Sequence, residues 1–173
     1  MNLGDFGTAD KYLEKASASR KKIGDRTGEA TDLGHLGIIS YKRGEYDNAQ
    51  EYFNKALAIN MEIGKKEGVI VDYVNLGSCF QSLGNYETAE EYFKKAIRLS
   101  KEIGHSFSEF RCLCSLTLLK VCQMDFEKAF SYLFQSIEIF DRLRGSLKDN
   151  DQLKLTLLVL VYHHCHVQET KPR

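Results

Sequence analysis

The side chains most capable of chemistry in this chain are its five cysteines, its five histidines and several glutamates. The sequence HHCH at residues 163–166 gathers side chains that zinc accepts as ligands. A zinc site needs four ligands in a tetrahedron, usually from two separated pairs, and no second pair accompanies this cluster. The sequence therefore predicts no bound metal and no cofactor, and it favours adventitious binding of the cluster to a metal-affinity column.

The other cysteines have the pattern of packing residues. Cys112 and Cys114 lie two positions apart on a predicted helix, so their side chains point apart and cannot chelate one ion. Cys79 and Cys122 fit packed helix positions, where a free cysteine acts as a small apolar residue. An odd number of cysteines without paired spacing favours a reducing, cytoplasmic setting over a disulfide framework.

No arrangement of residues indicates catalysis. Glu51, Glu90 and Glu91 lie beside lysines on the outer face of predicted helices, where pairs four residues apart form ordinary surface ion pairs. Acid–base catalysis needs such a group in a shielded pocket. The glycines follow a regular spacing and do not cluster into a phosphate-binding loop, and no Ser/His/Asp set has supporting context. The sequence therefore predicts a protein that is not an enzyme.

Composition excludes several classes of partner. The 24 basic and 24 acidic residues cancel, so global charge gives no reason to expect binding to nucleic acid or to an anionic membrane. The first residues, MNLGDFGTADKYLEKAS, lack the basic start and apolar core of a secretory signal. No apolar run approaches the roughly 20 residues that a membrane span requires. The remaining expectation is a protein or peptide partner.

A 40-residue repeat organises the elements that must position any site. GEYDNAQEYFNKALAINMEIG at 44–64 returns as GNYETAEEYFKKAIRLSKEIG at 84–104. Five columns of matched residues recur four times at this interval. They are Phe6, Tyr46, Tyr86, Phe126; Ala9, Ala49, Ala89, Ala129; Tyr12, Tyr52, Tyr92, Tyr132; Ala16, Ala56, Ala96, Ser136; and Ile23, Ile63, Ile103, Leu143.

Each repeat has the spacing of two helices. Ala49, Phe53 and Ala56 lie on one helical stripe, together with Tyr52. Upstream, Leu36 and Gly37 mark a second stripe, and we expect Gly37 and Gly77 to allow close approach of the paired helix with Ala49 and Ala89 opposite. We expect Tyr52 and Phe53 to fill the space toward the neighbouring repeat. Gly44 and Gly84 predict tight turns with positive φ, whereas Gly64 and Gly104 predict helix ends.

These residues resemble the signature of the tetratricopeptide repeat family, carried here by Leu36-Gly37, Gly44-x-Tyr46, Ala49, Tyr52-Phe53 and Ala56. The resemblance implies an all-α fold, a right-handed α-solenoid of helical hairpins. The spacing of 40 is similar to that in the LGN/Pins G-protein-signalling modulators and in the large animal proteins of the tetratricopeptide repeat protein 28 type. The predicted divisions are a partial repeat at 3–24, repeats at 28–64 and 68–104, a degenerate repeat at 108–145 and a non-repeat tail or capping segment at 146–173.

The degenerate repeat keeps its second helix in register but loses its glycines. Thr117, Met124 and Arg144 replace the glycines of the earlier repeats. Its first helix, EFRCLCSLTLLKVC, is unusually apolar, which predicts that it is well buried.

Both ends of the chain depart from a complete array. The first repeat lacks its first helix, which suggests a fragment of a longer array with an exposed apolar edge at Phe6, Tyr12 and Leu13. Such an edge would allow self-association. The stretch LRGSLKDNDQLKL resembles the junction at which large arrays pass into a caspase-like CHAT domain. Alternatively, residues 149–166 form a capping helix, although their continuous apolar run does not distinguish a helix from a strand.

In the family, the first helix of each pair lines a concave groove. The groove positions implied here are Thr31, His35, Ile38, Val71, Val74, Asn75, Ser78, Arg111, Ser115 and Leu118. Of the lysine, asparagine and arginine set with which some members hold a terminal carboxylate, only Asn75 and Arg111 are present. The sequence thus predicts an interaction scaffold or adaptor that binds a peptide or partner segment in the groove. The alternative is the regulatory array of a CHAT-domain protein that ends before its catalytic domain.

Overall fold

The computed structural model describes residues 4–144, and these residues form seven α-helices without a strand. The helices are α1 (Gly4–Ile23), α2 (Arg26–Lys42), α3 (Tyr46–Glu62), α4 (Lys66–Ser82), α5 (Tyr86–Glu102), α6 (Ser106–Cys122) and α7 (Phe126–Arg144). The predicted all-α fold of helical hairpins is confirmed. The chain divides between Leu99 and Ser100 into two compact units, which are described separately below as unit 1 and unit 2.

Short turns of one design join the helices. Gly44 has φ +79° between α2 and α3, and the glycines predicted as turns and stops at 64, 84 and 104 are also left-handed, as expected. In unit 2 the corresponding residue is Met124, with φ +59°. The left-handed region costs a residue with a Cβ about 1 kcal/mol or more, so the turn keeps its geometry where the sequence has lost the glycine.

The glycines within α2 and α4 make room for a phenylalanine ring. A Cβ placed on Gly37 would lie 2.5 Å from the ring of Phe53, and one on Gly77 would lie 2.7 Å from the ring of Phe93. The atoms nearest to these glycines thus belong to Phe53 and Phe93, a contact that was not predicted from the sequence. The ring is close enough that no larger residue fits without movement, which fixes how tightly the two helices of a hairpin pack.

Unit 1 contains one buried cluster within a hairpin and another between neighbouring hairpins. Phe53 belongs to a buried cluster with Leu76 and Cys79 of α4, as predicted for a residue that packs toward the next repeat. Tyr52, expected to do the same, instead packs on a cluster formed mainly by α2 and α3 of its own hairpin. In the next hairpin Tyr92 stacks on Phe80, with ring centroids 5.5 Å apart and an interplanar angle of 9°.

In unit 2, α6 packs against α7 and is well buried, as its apolar sequence predicted. Thr117 and Leu133 are both buried at the positions held by glycine and phenylalanine in unit 1. Cys112 is fully buried, as expected. Cys122 is exposed, so the prediction that it packs inside is wrong, because the last turn of α6 presents it to solvent.

The first helix contributes only part of the predicted apolar edge. Tyr12 is 71% exposed, whereas Leu13 packs against a cluster that contains Ala30 and Leu33. The side chain of Phe6, the tail from 146 onward and the HHCH cluster lie outside the described residues. Within the described helices, none is both long and apolar enough to cross a membrane.

A candidate partner-binding cleft between α2 and α4

Helices α2 and α4 lie next to each other in unit 1 and contact directly. Near their C-terminal ends, the hydroxyl groups of Tyr41 and Ser82 form a hydrogen bond of 2.9 Å. The C-terminal end of α3 closes the opposite end of the gap, where Asn60 meets Asp72. The Tyr41–Ser82 hydrogen bond joins α2 to α4, and a cleft lies between the two helices.

The cleft has a volume of about 290 Å³. It is lined by Ala30, Thr31, Gly34, His35, Ile38, Asn60, Lys65, Glu67, Gly68, Val71, Asp72 and Asn75. Five of the seven groove positions predicted in unit 1 are thus brought together: Thr31, His35, Ile38, Val71 and Asn75. The other two, Val74 and Ser78, are half-buried on α4 and do not line the cleft.

The walls of the cleft combine apolar and hydrogen-bonding groups. Ile38 is 38% exposed and Val71 is 42% exposed, so apolar surface from both helices faces solvent. His35 is exposed, and Asn75 is half-buried with an amide that can donate and accept. The hydroxyl of Thr31 donates to the carbonyl of Thr27 at 2.9 Å, which leaves only its oxygen to accept from a ligand.

A buried carboxyl group forms part of the cleft lining. Asp72 is only 3% exposed, and its Oδ2 accepts a hydrogen bond of 2.7 Å from Nδ2 of Asn60. Burial raises the pKa of Asp72 to about 6, while the Asn60 hydrogen bond and the charge of Lys65 act in the opposite direction. The sequence reasoning placed neither Asp72 nor Asn60 in the site.

The two positions of this pair recur at the 40-residue interval, but different residues occupy them in each repeat. Arg20 Nε lies 3.1 Å from Oδ2 of Asp32, a distance that fits an ion pair although the N–H is not aimed as in a hydrogen bond. Asn60 and Asp72 form the second pair, and in unit 2 the Ser100 side chain hydrogen-bonds the thiol of Cys112. The sequence signal for this pair is a polar residue near the end of one helix and a second polar residue twelve positions later in the next helix.

The predicted groove residues of unit 2 lie on α6. Arg111 is exposed, and its carbonyl accepts a hydrogen bond of 3.2 Å from the hydroxyl of Ser115. Leu118 is 41% exposed. These three residues thus present one cation and one apolar side chain to solvent.

A larger depression of about 500 Å³ lies among α1, α2 and α3. Three of its four charged lining residues form ion pairs, since Arg26 contacts Glu29 at 2.6 Å and Lys55 contacts Glu51 at 2.6 Å. It contains none of the predicted groove positions. The α2–α4 cleft is therefore the better candidate for recognition of a partner.

The described residues include two buried cysteines, Cys79 and Cys112, and an ion pair of Glu90. Burial raises the pKa of Cys79 to about 11 and that of Cys112 to about 12, so both remain thiols at neutral pH. The ion pair between Lys94 and Glu90, at 2.7 Å, has the expected spacing of four residues. Among residues 4–144, no group of three or more histidine, cysteine, aspartate or glutamate side chains could hold a metal ion.

Comparison with known proteins identifies the repeat. Residues 1–62 and 69–142 match the sequence model described as the tetratricopeptide repeat. A comparison with curated proteins gave no significant match.

Three solved structures share the fold at 20% sequence identity. BtubC from P. vanneervenii has a TM-score of 0.73 over 92% of this chain and 65% of its own. The apo form of RapI has a TM-score of 0.75 over 95% of this chain and 45% of its own. Aspartyl phosphate phosphatase F from Bacillus subtilis has a TM-score of 0.72 over 91% of this chain and 43% of its own. The chain thus spans between 43% and 65% of the length of these structures.

Proposed function

This chain belongs to the tetratricopeptide repeat family, and we propose that it is a protein-interaction scaffold that binds an extended segment of a partner in the α2–α4 cleft. The observation that carries this proposal is the convergence of five predicted groove positions on one cleft. Because a continuous open cleft with apolar and amide groups suits a peptide better than a compact metabolite, the partner is a protein segment.

Different residues of the cleft would contact the side chains and the backbone of the partner. Ile38 and Val71 offer apolar contact from opposite helices, so they would take the side chains of the partner. Asn75 can donate to a peptide carbonyl and accept from a peptide N–H, so it would hold the partner backbone. Arg111 of unit 2 is exposed and would bind an acidic group of a partner. This role does not require contact between Arg111 and the cleft residues of unit 1.

Similarity to the phosphatase from Bacillus subtilis does not extend this proposal to catalysis. At 20% identity the likeness is one of fold, and tetratricopeptide repeats generally act as non-enzymatic scaffolds. We therefore propose a binding function without chemistry.

A selection from random peptides tests the proposal. Peptides of about twelve residues displayed on phage are selected on the full chain, and the affinity of the enriched peptides is measured by isothermal titration calorimetry. The double variant Ile38→Ala/Asn75→Ala should bind them about tenfold more weakly or worse, because it removes one apolar and one backbone contact. Both side chains are on the cleft surface, so the melting temperature should change little.

The matched control is Glu51→Ala/Lys55→Ala, which removes an ion pair on α3 outside the α2–α4 cleft. This variant should bind the same peptides as the wild type does. Equal affinity of the cleft variant and the wild type, or the absence of any enriched peptide, would contradict the proposal.

A second candidate is the regulatory array of a CHAT-domain protein, favoured by the resemblance of LRGSLKDNDQLKL at 143–155 to such a junction. Almost all of that stretch lies outside the described residues. Sequencing of the full transcript tests it, because a caspase-like segment with a His/Cys pair should follow.

Two further expectations stay predictions. One is the cytoplasmic setting. The other is self-association through the ends of the array, where Tyr12 is exposed.

A further inference from the structure

Among the described residues, the buried carboxyl group in the cleft has no ion-pair partner. Asp72 is bound through Oδ2 by the neutral amide of Asn60, and no cation lies within 4 Å of it among the described residues. A buried carboxylate is costly unless it is paired with a cation, so this group is suited to an incoming positive charge. Although Asp72 is only 3% exposed, it is one of the residues that line the open cleft, so a side chain of the partner would reach it from the cleft.

The preceding repeat shows which group completes such a site. Asp32 occupies the position forty residues earlier, and there the guanidinium of Arg20 supplies the cation at 3.1 Å. Asn60 stands in the place of Arg20 and is shorter by most of the arginine side chain. The cleft opens beside Asn60 and Asp72, so space exists where the first repeat carries its own arginine.

The other charged groups of the cleft nearly cancel. Lys65 and Glu67 carry opposite charges in the lining, and the charge of Lys65 acts on Asp72 without forming an ion pair. His35 is the remaining titratable side chain in the lining, and its position on α2 is exposed. With Asp72 ionised, the lining carries one more negative charge than positive, which favours a cationic ligand.

We propose that the cleft selects a partner segment by a basic side chain, arginine or lysine, that pairs with Asp72 while neighbouring apolar residues of the segment contact Ile38 and Val71. This inference rests on the proposed function and specifies its ligand. The planar guanidinium of arginine can also donate to the Oδ1 atom of Asn60, so arginine should be preferred to lysine.

The peptide selection described above tests this when it is repeated on three variants of the full chain. Asp72→Asn keeps the size of the side chain and removes its charge. Asn60→Arg places an internal guanidinium where Arg20 stands in the preceding repeat, so it should fill the site. Asp32→Asn is the matched control, because it removes the equivalent carboxylate outside the cleft. Circular dichroism checks that each variant is folded.

Enrichment of arginine or lysine at one peptide position is expected for the wild type and for Asp32→Asn, and it should be lost in Asp72→Asn and in Asn60→Arg. A selected peptide whose arginine is replaced by citrulline, which has nearly the same shape without charge, should bind the wild type about tenfold more weakly or worse. The same replacement should make little difference to binding by Asp72→Asn.

The outcomes separate this inference from the proposed function. Enriched peptides that depend on Ile38 and Asn75 but carry no conserved basic residue would overturn the role of Asp72 and leave the scaffold function standing. Equal affinity for the arginine and citrulline peptides would do the same. The absence of any enriched peptide would overturn both.

Discussion

In the hairpins of unit 1 and in the hairpin of unit 2, different residues occupy the same two positions where the paired helices pack together. In α2/α3 a glycine faces a phenylalanine ring, so that a Cβ on Gly37 would come within 2.5 Å of Phe53. In α6/α7 the same two positions hold Thr117 and Leu133, both buried. The larger residue on the first helix accompanies the smaller residue on the second, which indicates that the repeat conserves the combined volume and not the residue types.

The helix junctions change in the same way. Gly68 lies against the side chain of Asn60, with only 2.5 Å between a hypothetical Cβ and the amide carbon. At the corresponding positions unit 2 has Ser108 and the smaller Ser100. In both cases the larger residue at one position accompanies a smaller residue at the other, so the degenerate repeat is a repacked version of the others.

The largest effect is expected when only one member of a pair is exchanged. Gly37→Thr would force a side chain into the Phe53 ring and should lower the free energy of unfolding by about 3 kcal/mol, measured by urea denaturation. Adding Phe53→Leu reproduces the unit 2 pair and should recover at least about 1 kcal/mol of that loss.

The control is Phe53→Leu alone, which completes the double-mutant cycle. If the two substitutions were additive, so that Phe53→Leu lowered stability equally in the wild type and in the Gly37→Thr variant, the idea of a compensating pair would be wrong.

A smaller effect concerns the two buried aspartates of unit 1, one facing an arginine and one an amide. The pKa of Asp72 rises from 3.8 to about 6 in the fold, so the protonated form is favoured and the resulting stability is lost as pH rises through about 6. That difference corresponds to about 3 kcal/mol as an upper limit. Asp72→Asn should therefore stabilise the chain by about 2 kcal/mol at pH 7.

The pH dependence identifies the cause. The difference in unfolding free energy between Asp72→Asn and the wild type should be small below about pH 4 and grow between about pH 4 and pH 6. A difference that does not vary with pH would show that the gain comes from packing and not from removal of the charge.

The smallest effect is expected on the outer face of α7. Phe126, Phe130 and Phe134 form a stripe that is between 41% and 52% exposed, whereas α3 carries Gln50 and Asn54 at the positions of the last two. The double variant Phe130→Gln/Phe134→Asn should lower the free energy of unfolding by about 1.5 kcal/mol, because about half of each side chain is buried. It should reduce the binding of the apolar dye ANS, and unchanged fluorescence would show that the stripe is covered in solution.

Periodicity predicted the fold because the repeated columns report directly on helix faces and turns. Gly44 recurs at 84 because the turn needs a left-handed residue, and Phe53 recurs at 93 because its ring packs beside a glycine of the paired helix. The contact between Gly37 and Phe53 was not predicted because a helix side chain leans toward the N-terminus, and spacing alone does not show which ring fills the gap.

The site was only partly predictable for a different reason. Thr31, His35, Ile38, Val71 and Asn75 follow from the register of the first helices, which the repeat fixes. Asn60 and Asp72 belong to different helices and meet only through packing, so no single helical stripe contains both. Arg20 and Asn60 occupy the same position in successive repeats but differ in type, so the matched columns of the repeat do not include them.

The central claim, that the α2–α4 cleft binds a partner segment, is tested most directly by nuclear magnetic resonance. A peptide selected on the full chain is titrated into the isotope-labelled protein, and the perturbed backbone amides are mapped. The largest perturbations should fall on the cleft-lining residues of α2 and α4, among them His35, Val71 and Asn75. Perturbations confined to the outer face of α3 and α5, with the cleft amides unchanged, would contradict the claim.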